Sequence, residues 1–293
     1  MANAILAYPN HVDADPAFAP VAFDGGQWKA ELPLPNIRDR LLVRRARSVN
    51  VALSSTQFWI DLGVSRDVRV AAIPFLTASR AARVRVRAFL TQDAGGVAQA
   101  DSDWLDVYPV VYPFGSLYYG HLAFWDGRMT AEEAALFPMP VVVVFPQTVI
   151  ARWWLFEIDD TTSALGYVEV PRVFLAPGWQ PTLNMVWGAS VGFEPRTTVV
   201  ESYGGAQFFD VQRGRRVARF GFDYLPENEA LAVALDMQRR LGVDGQLFFV
   251  YDPADTVNMH RRAFPARMRT LSPLQAAVFG RTGVTFEIEE QIA

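Results

Sequence analysis

One short motif in the sequence has the residue types of a serine-hydrolase nucleophile. Gly188-Ala-Ser190-Val-Gly192 follows the pattern Gly-x-Ser-x-Gly, and His260 comes after Asp252 and Asp255, the chain order that hydrolase triads take. The nucleophile of such a triad lies on a tight turn between a strand and a helix, whereas Pro195 and the β-branched residues after it disfavour a helix there. We therefore predict that the chain is no enzyme and has no catalytic residue, and keep a serine hydrolase using Ser190 as a second alternative.

Carboxylates cluster at two places where they could bind a hard cation. Calcium takes about six to eight oxygen ligands from a shaped loop, and neither cluster has the glycine and the spacing of an EF-hand. A pair of carboxylates facing each other across a cleft could also hydrolyse a glycosidic bond, which the sequence leaves open. We expect solvated loop carboxylates in both clusters, which are Asp101, Asp103 and Asp106, and Glu157, Asp159 and Asp160.

The remaining titratable residues exclude several further kinds of site. The chain has no cysteine, which rules out disulfides, thiolate zinc sites and cysteine nucleophiles. His11, His121 and His260 lie far apart in the sequence, so they do not form a local metal-binding pair. We therefore predict neither a metal nor a cofactor.

Charge and hydropathy exclude two classes of partner. The 293 residues carry a formal net charge of −4, whereas a protein whose task is to neutralise phosphates is dominated by a basic patch. The longest apolar stretch, residues 141–145, is bounded by Pro140 and Pro146 and is far shorter than the roughly 18 residues of a membrane span. We predict no sequence-specific nucleic acid partner and no membrane insertion.

Two groups of side chains suit contact with another protein. An arginine run within residues 38–47 could contact nucleic acid or an acidic protein partner, of which we favour the protein, or form a solvated, salt-bridged face. The tyrosines and tryptophan of the aromatic loop, residues 108–125, could anchor an interface, fill a local core or stack on a sugar, in that order of preference. The candidate interface residues are Tyr108, Tyr112, Phe114, Tyr118, Tyr119, Trp125, Arg44, Arg45 and Arg47.

Strands are expected to position these residues in the first part of the chain. Residues 57–63, 68–73 and 83–89 are predicted as three strands, the last with arginines alternating with small apolar residues. The stretch from about residue 100 to 150 is predicted as a long inserted loop, in which a capping box begins a short helix that reaches Leu136 and ends at Pro138. Strands return in the segments 152–159, 166–170 and 172–175.

A turn-rich segment after these strands divides the chain into two predicted domains, residues 1–178 and 179–293. A helix is predicted over residues 227–241, since an apolar stripe runs along it and Gly242 follows it. Ser272 is predicted to begin a shorter helix that Gly280 ends. Strands of the second domain are predicted at 216–225, 246–251, 263–271 and 282–290.

Several of these segments carry a family resemblance. Ser54-Ser-Thr-Gln-Phe-Trp-Ile-Asp-Leu-Gly63 with the two strands after it resembles the beginning of a galactose-binding-like, or discoidin-type, jelly roll, and Ala151-Arg-Trp-Trp-Leu-Phe-Glu-Ile-Asp-Asp160 resembles its close. That sandwich, combined with Gly166-Tyr-Val-Glu-Val-Pro-Arg-Val-Phe-Leu-Ala176 and a second β-rich domain, is similar to tail-tip or baseplate proteins of long-tailed bacteriophages. The second domain resembles the tail-tube fold of tube and distal tail proteins.

The resemblance implies a mainly β protein: a jelly-roll sandwich with a long inserted loop, then a tail-tube-like sandwich with one flanking helix. It also implies a distal or minor tail protein, a structural subunit of the virion tail that is assembled in the host cytoplasm. Such a subunit would form a ring of identical copies around the tail axis and connect the tail tube to tip proteins. The sequence offers no obvious polar clamp for a sugar, so glycan binding is not carried over from the sandwich family. A carbohydrate-binding adhesion module contacting host-surface glycans is kept as the first alternative.

Overall fold

The computed structural model describes residues 3–13, 20–136 and 139–292, without the side chains of residues 135, 136, 277 and 278. The strands in these ranges, numbered in chain order, are β1 Ile5–Ala7, β2 Ala22–Asp24, β3 Ala46–Arg47, β4 Phe58–Ile73, β5 Arg83–Phe89, β6 Ala100–Asp101, β7 Leu105–Asp106, β8 Val141–Asp159, β9 Glu169–Val170, β10 Phe174–Ala176, β11 Ser190–Glu194, β12 Thr198–Glu201, β13 Gln207–Asp210, β14 Arg215–Pro226, β15 Gln246–Val250, β16 Ala263–Thr270, β17 Gln275–Val278 and β18 Arg281–Glu290.

Helices are few and short beside these strands, so the prediction of a mainly β protein is confirmed. The helical segments are a 3-10 turn Leu34–Arg38, the α-helices Leu53–Thr56, Ala131–Leu136 and Met259–Arg262, and one long helix made of an α-helical turn Glu227–Glu229, a π-helical segment Ala230–Leu235 and an α-helical segment Asp236–Leu241.

The first sheet is antiparallel, with strands in the order β10-β4-β8-β5-β6, β2 on β4 and β7 on β5. Strand β5 follows its predicted alternation: Val84, Val86 and Ala88 are buried. Its arginines point to the opposite face, because successive side chains of a strand alternate between the two faces of a sheet. The apolar face lies on the core of this sheet.

Two strands of the first sheet are longer than the sequence indicates. The predicted strands at 57–63 and 68–73 are one strand, β4, in which Gly63 has a positive φ of 74° and the register shifts between Asp61 and Arg66. Strand β8 begins at Val141, so the last ten residues of the predicted inserted loop are strand. Pro146 lies in β8 beside a second register shift, where a strand tolerates a residue that lacks a backbone N–H.

The second sheet has the order β1-β15-β16-β18-β14-β11, with β17 on β18. Its first strand comes from the opposite end of the chain, since Leu6 of β1 pairs with Phe249 of β15. Leu6 also exchanges backbone hydrogen bonds of 2.9 Å with Trp179. The division at residue 178 stays a prediction, but residues 5–7 are part of the second sheet although they lie in the predicted first domain.

The long helix occupies the predicted residues 227–241 and ends at Gly242, whose φ of 54° suits a glycine. Ala230, Ala234 and Met237 are fully buried in the core of the second sheet. The helix therefore covers the apolar face of that sheet, as one flanking helix is expected to do.

The predicted short helix after Ser272 is wrong. The chain forms strand β17 there, and Gln275 pairs with Gly283 of β18. Gly280, with a φ of 70°, lies in the tight turn between the two strands. Pairing with β18 satisfies the backbone of this segment, and that tertiary contact overrides the local capping signal.

Side chains from both sheets form three clusters of buried residues. One core lies on a face of the first sheet, a second lies under the long helix, and a third joins the sheets to each other. In the third core Phe174 of β10 and Phe248 of β15 have ring centroids 5.5 Å apart, and both side chains are fully buried. The two sheets are thus packed directly against one another.

Candidate functional site

The Gly-x-Ser-x-Gly motif does not form a nucleophile elbow. Ser190 is the first residue of strand β11 and pairs with Arg219 of β14, so the serine opens a strand and no helix follows it. His260 is buried in the helix Met259–Arg262, and no hydrogen bond joins it to Ser190 among the described residues. Burial is the largest of the causes that lower the pKa of His260 to about 4. The three elements of a hydrolase triad are not brought together.

Arginines pair with four of the six carboxylates of the two acidic clusters, and Asp160 accepts a hydrogen bond of 2.9 Å from the Ser79 N–H. The expectation of solvated loop carboxylates is wrong for Glu157 and Asp160, which are buried. No group of three or more His, Asp or Glu within the described ranges is arranged to hold a metal ion. The Arg85 guanidinium lowers the pKa of Asp101 chiefly through a side-chain hydrogen bond. The ion pairs are Arg83–Asp159 at 2.7 Å, Arg85–Asp101, Arg87–Glu157 at 2.9 Å and Arg128–Asp106 at 2.6 Å.

The candidate arginines of the arginine run form ion pairs with carboxylates of the same chain. Arg45 Nη1 donates to Glu169 Oε2 at 3.0 Å, and Arg47 Nε donates to Glu169 Oε1 at 2.7 Å. The Arg47 guanidinium also lies 4.3 Å from the centre of the Tyr167 ring. Arg44 is mostly exposed and pairs with Asp39 at 2.9 Å. Arg45 and Arg47 thus connect β3 and the residue before it to β9 while staying about one third exposed, and Arg44 is the most exposed of the three candidate arginines.

The aromatic loop divides into a buried and an exposed part. Tyr108 is only 5% exposed and packs in the core of the first sheet, so it is not available to a partner. Tyr112 donates a hydrogen bond of 2.6 Å to Glu133, which lowers the pKa of that carboxyl. Glu133 and Thr130 form the predicted capping box of the helix Ala131–Leu136, while Pro138 lies outside the described residues.

The exposed part of the aromatic loop is a cluster of rings. Phe124 and Trp125 are 5.1 Å apart at their centroids, and Tyr119 lies 5.5 Å from Phe124, each pair edge to face. A cavity of about 110 Å³ opens beside Trp125 and Phe114. The side chains of Phe114, Tyr118, Tyr119 and Trp125 are mostly exposed, as expected of interface residues.

A second exposed apolar feature was missed by sequence reasoning. Strands β12 and β13 pair only with each other and form a hairpin, residues 198–210, which we call the β-arm. All eight of its strand residues are exposed. Val199 pairs with Phe209, and Val200 with Phe208. Because successive residues of a strand point to opposite faces, both faces of the β-arm carry an apolar pair.

A signal for the β-arm is present in the sequence. Thr198-Val-Val-Glu201 and Gln207-Phe-Phe-Asp210 are short β-branched and aromatic runs, and the five residues between them include Gly204 and Gly205. Such runs separated by a glycine-containing turn are typical of a hairpin. The pattern escapes a search for half-buried strands because neither run alternates between apolar and polar residues.

No protein-family model and no curated protein sequence matches the chain. Solved structures similar to part of it include the family 32 CBM from Clostridium perfringens NanJ in complex with galactose, with 10% identity over 53% of this chain and 92% of that one and a TM-score of 0.33. A Streptococcus pneumoniae fucose binding module has 12% identity over 58% of this chain and 95% of that one, with a TM-score of 0.35.

A family 89 glycoside hydrolase from Clostridium perfringens has 11% identity over 54% of this chain but only 14% of that one, with a TM-score of 0.35. The galactose-binding-like and tail-tip resemblances both stay predictions. No function is transferred from these structures. No helix in the described part of the chain is long and apolar enough to span a membrane.

Proposed function

We propose that the chain is a structural subunit that assembles with copies of itself, in the tip or baseplate of a long-tailed bacteriophage tail. The observation that carries the self-assembly is the β-arm, an isolated hairpin with an apolar pair on each face. An isolated two-stranded hairpin is marginally stable in water, and exposed apolar patches mark interaction sites. A β-arm of this composition is stabilised once another surface covers it.

The bacteriophage part of the proposal is supported by the sequence resemblance and by the long helix that flanks the second sheet. Ring-shaped assemblies of one chain need a surface that projects from each subunit to the next, and the β-arm supplies one. In this proposal the chain contacts itself and other tail proteins, binds no specific nucleic acid sequence and performs no chemistry.

Self-assembly is tested by measuring the molar mass of the protein in solution. The wild type is expected to form oligomers, and Val200→Ser combined with Phe208→Ser is expected to yield monomers. Phe279→Ser is the matched control, because Phe279 is fully exposed in a turn outside the β-arm. If the wild type and the double variant form oligomers of equal mass, the β-arm is not the surface through which the chain assembles.

Location in a virion is tested separately. Antibodies against the chain, applied to particles of the phage whose genome encodes it, are expected to label the distal end of the tail in electron micrographs. Particles that carry no label, although the chain accumulates in infected cells, would contradict the tail-tip assignment. That result would leave the proposal of self-assembly unchanged.

A second candidate function, binding of a host-surface glycan, is favoured by the ring cluster of the aromatic loop. Exposed aromatic faces stack on sugar rings, and the cavity beside Trp125 is bordered by Asp126, whose carboxylate can accept hydrogen bonds from hydroxyl groups. A glycan array should then show binding that Trp125→Ala abolishes. The matched control is Trp187→Ala, since Trp187 is an equally exposed tryptophan outside the aromatic loop. An array without hits would remove this candidate.

A further inference from the structure

An open groove lies between residues 40–43 and the end of the second sheet. It has a volume of about 290 Å³, and we call it the arginine groove. Two exposed apolar side chains of one wall, Leu41 and Val43, are 60% and 74% exposed. The backbone of the same wall is held to the second sheet by Gln246, which donates a hydrogen bond of 2.8 Å to the Arg40 carbonyl. One wall of the groove is therefore attached to the second sheet and carries an uncovered apolar lining.

The charge of the groove is positive. Arginines outnumber glutamates along it, and the charged lining residues are Arg40, Arg196, Arg215, Arg267, Glu289 and Glu290. Glu289 is nearly buried and is already paired with Arg215 and Arg267. Arg196 is exposed and makes no ion pair within the described part of the chain. The groove thus presents at least one cation that lacks a counter-charge.

The β-arm has the opposite character. Glu201 and Asp210 are its only charged side chains, and neither contacts a cation among the described residues. Glu201 shares a face with Val199 and Phe209, and Asp210 shares the other face with Val200 and Phe208, because cross-strand partners and every second residue lie on one face. Each face of the β-arm therefore offers an apolar pair next to a carboxylate.

We propose that the β-arm of one copy binds in the arginine groove of a second copy. The apolar pair Val200 and Phe208 covers Leu41 and Val43, and Asp210 on the same face approaches Arg196. Both charges lack a partner in the isolated subunit, so their pairing across the interface sacrifices no ion pair within either subunit. This inference rests on the self-assembly proposed above and names the surface that receives the β-arm.

The test mixes two variants that each lack one half of the contact. The arm variant carries Val200→Ser and Phe208→Ser, and the groove variant carries Leu41→Ser and Arg196→Glu. All four side chains are exposed, so both variants are expected to keep the thermal unfolding temperature of the wild type. Each variant alone should self-associate about tenfold more weakly or not at all. An equimolar mixture should form a species of twice the monomer mass, because one intact β-arm meets one intact groove.

The outcomes separate this inference from the proposed function. A monomeric wild type overturns both. In a second outcome the groove variant assembles as well as the wild type, while the arm variant stays monomeric. Self-assembly through the β-arm is then supported, but the arginine groove is not the surface that binds it. The β-arms would then contact each other or another face of the subunit. Restored assembly in a chain that combines Arg196→Glu with Asp210→Arg would support the contact between these two residues specifically, because Asp210 lies on the same face of the β-arm as Val200 and Phe208.

Discussion

Val200 of strand β12 lies directly opposite Phe208 of strand β13, and the two side chains are 60% and 63% exposed. A cross-strand pair of this kind contributes roughly 0.2–1 kcal/mol to the hairpin itself. It contributes nothing to the three cores of the subunit, which lie elsewhere. The pair is therefore available to a second surface.

Removing the Phe208 ring should leave the stability of the subunit almost unchanged. Phe208→Ser is expected to alter the free energy of unfolding by no more than about 0.5 kcal/mol, as for surface residues in general. Phe286→Ala, in the core under the long helix, should lower it by about 3–5 kcal/mol. Urea denaturation of monomeric protein checks both. Comparable losses for the two variants would mean that the β-arm packs against its own subunit.

Removing the Asp13 carboxylate should destabilise the protein strongly. Its partner Arg172 is fully buried and also donates a hydrogen bond of 2.9 Å to the Arg38 carbonyl. Asp13→Ala leaves that guanidinium buried without its counter-charge, at a cost of about 3–5 kcal/mol. The control is Arg44→Ala, which removes the mostly exposed partner of Asp39, leaves Arg172 untouched and should cost less than about 1 kcal/mol. Denaturant midpoints that fall equally in both variants would refute this account of Arg172.

Stability should fall in acid through His260. Burial, reinforced by Arg261 and Arg216, lowers the pKa of this imidazole from 6.5 to about 4. Between these two values the unfolded chain binds a proton that the folded chain does not, so stability present above pH 6.5 is lost progressively down to about pH 4. The loss is on the order of 1–3 kcal/mol.

His260→Gln isolates this contribution, because glutamine does not titrate. Denaturation of the wild type and the variant across the same pH interval should show a smaller decline for the variant, while the carboxylates contribute equally to both. Parallel pH profiles would show that folding does not change the pKa of His260.

Gly245→Ala should disturb the connection between the long helix and strand β15. A methyl group at this position would lie 2.5 Å from the carbonyl oxygen of Leu241 and 2.6 Å from its Cα atom. These are backbone atoms at the end of the long helix, so they can move away only if the helix end shifts with them. We expect a loss of roughly 2–4 kcal/mol in the free energy of unfolding. Gly204→Ala, in the open turn of the β-arm, has no atom near it and is the matched control. A variant at 245 as stable as the control would contradict this packing.

Elements that carry both a periodic pattern and end signals could be predicted from the sequence. Strand β5 alternates as its arginines indicate, and the long helix ends at the glycine that closes its apolar stripe. The local signals around Gln275 favour a helix, but the segment pairs with strand β18, which those signals do not contain. The position of Leu6 in the second sheet depends on a contact with residues more than two hundred positions away, which no local pattern records.

The candidate site was predictable only in part. Phe114 and Trp125 are exposed as expected, because a loop rich in large rings exceeds what one small core can bury. Tyr108 belongs to the buried end of the same loop, and only the fold separates it from the others. Arginine is a common interface residue, which makes Arg47 a candidate. In the fold it pairs with Glu169 of the same chain, because the pairing of β3 with β9 brings these two distant parts of the sequence together.

The molar mass of the wild-type protein in solution tests self-assembly most directly. Sedimentation equilibrium over a range of concentrations should give a mass that is a multiple of the 32.7 kDa of one chain, and the Val200→Ser and Phe208→Ser variant should give 32.7 kDa. A wild type that remains at 32.7 kDa over the whole range would contradict the account.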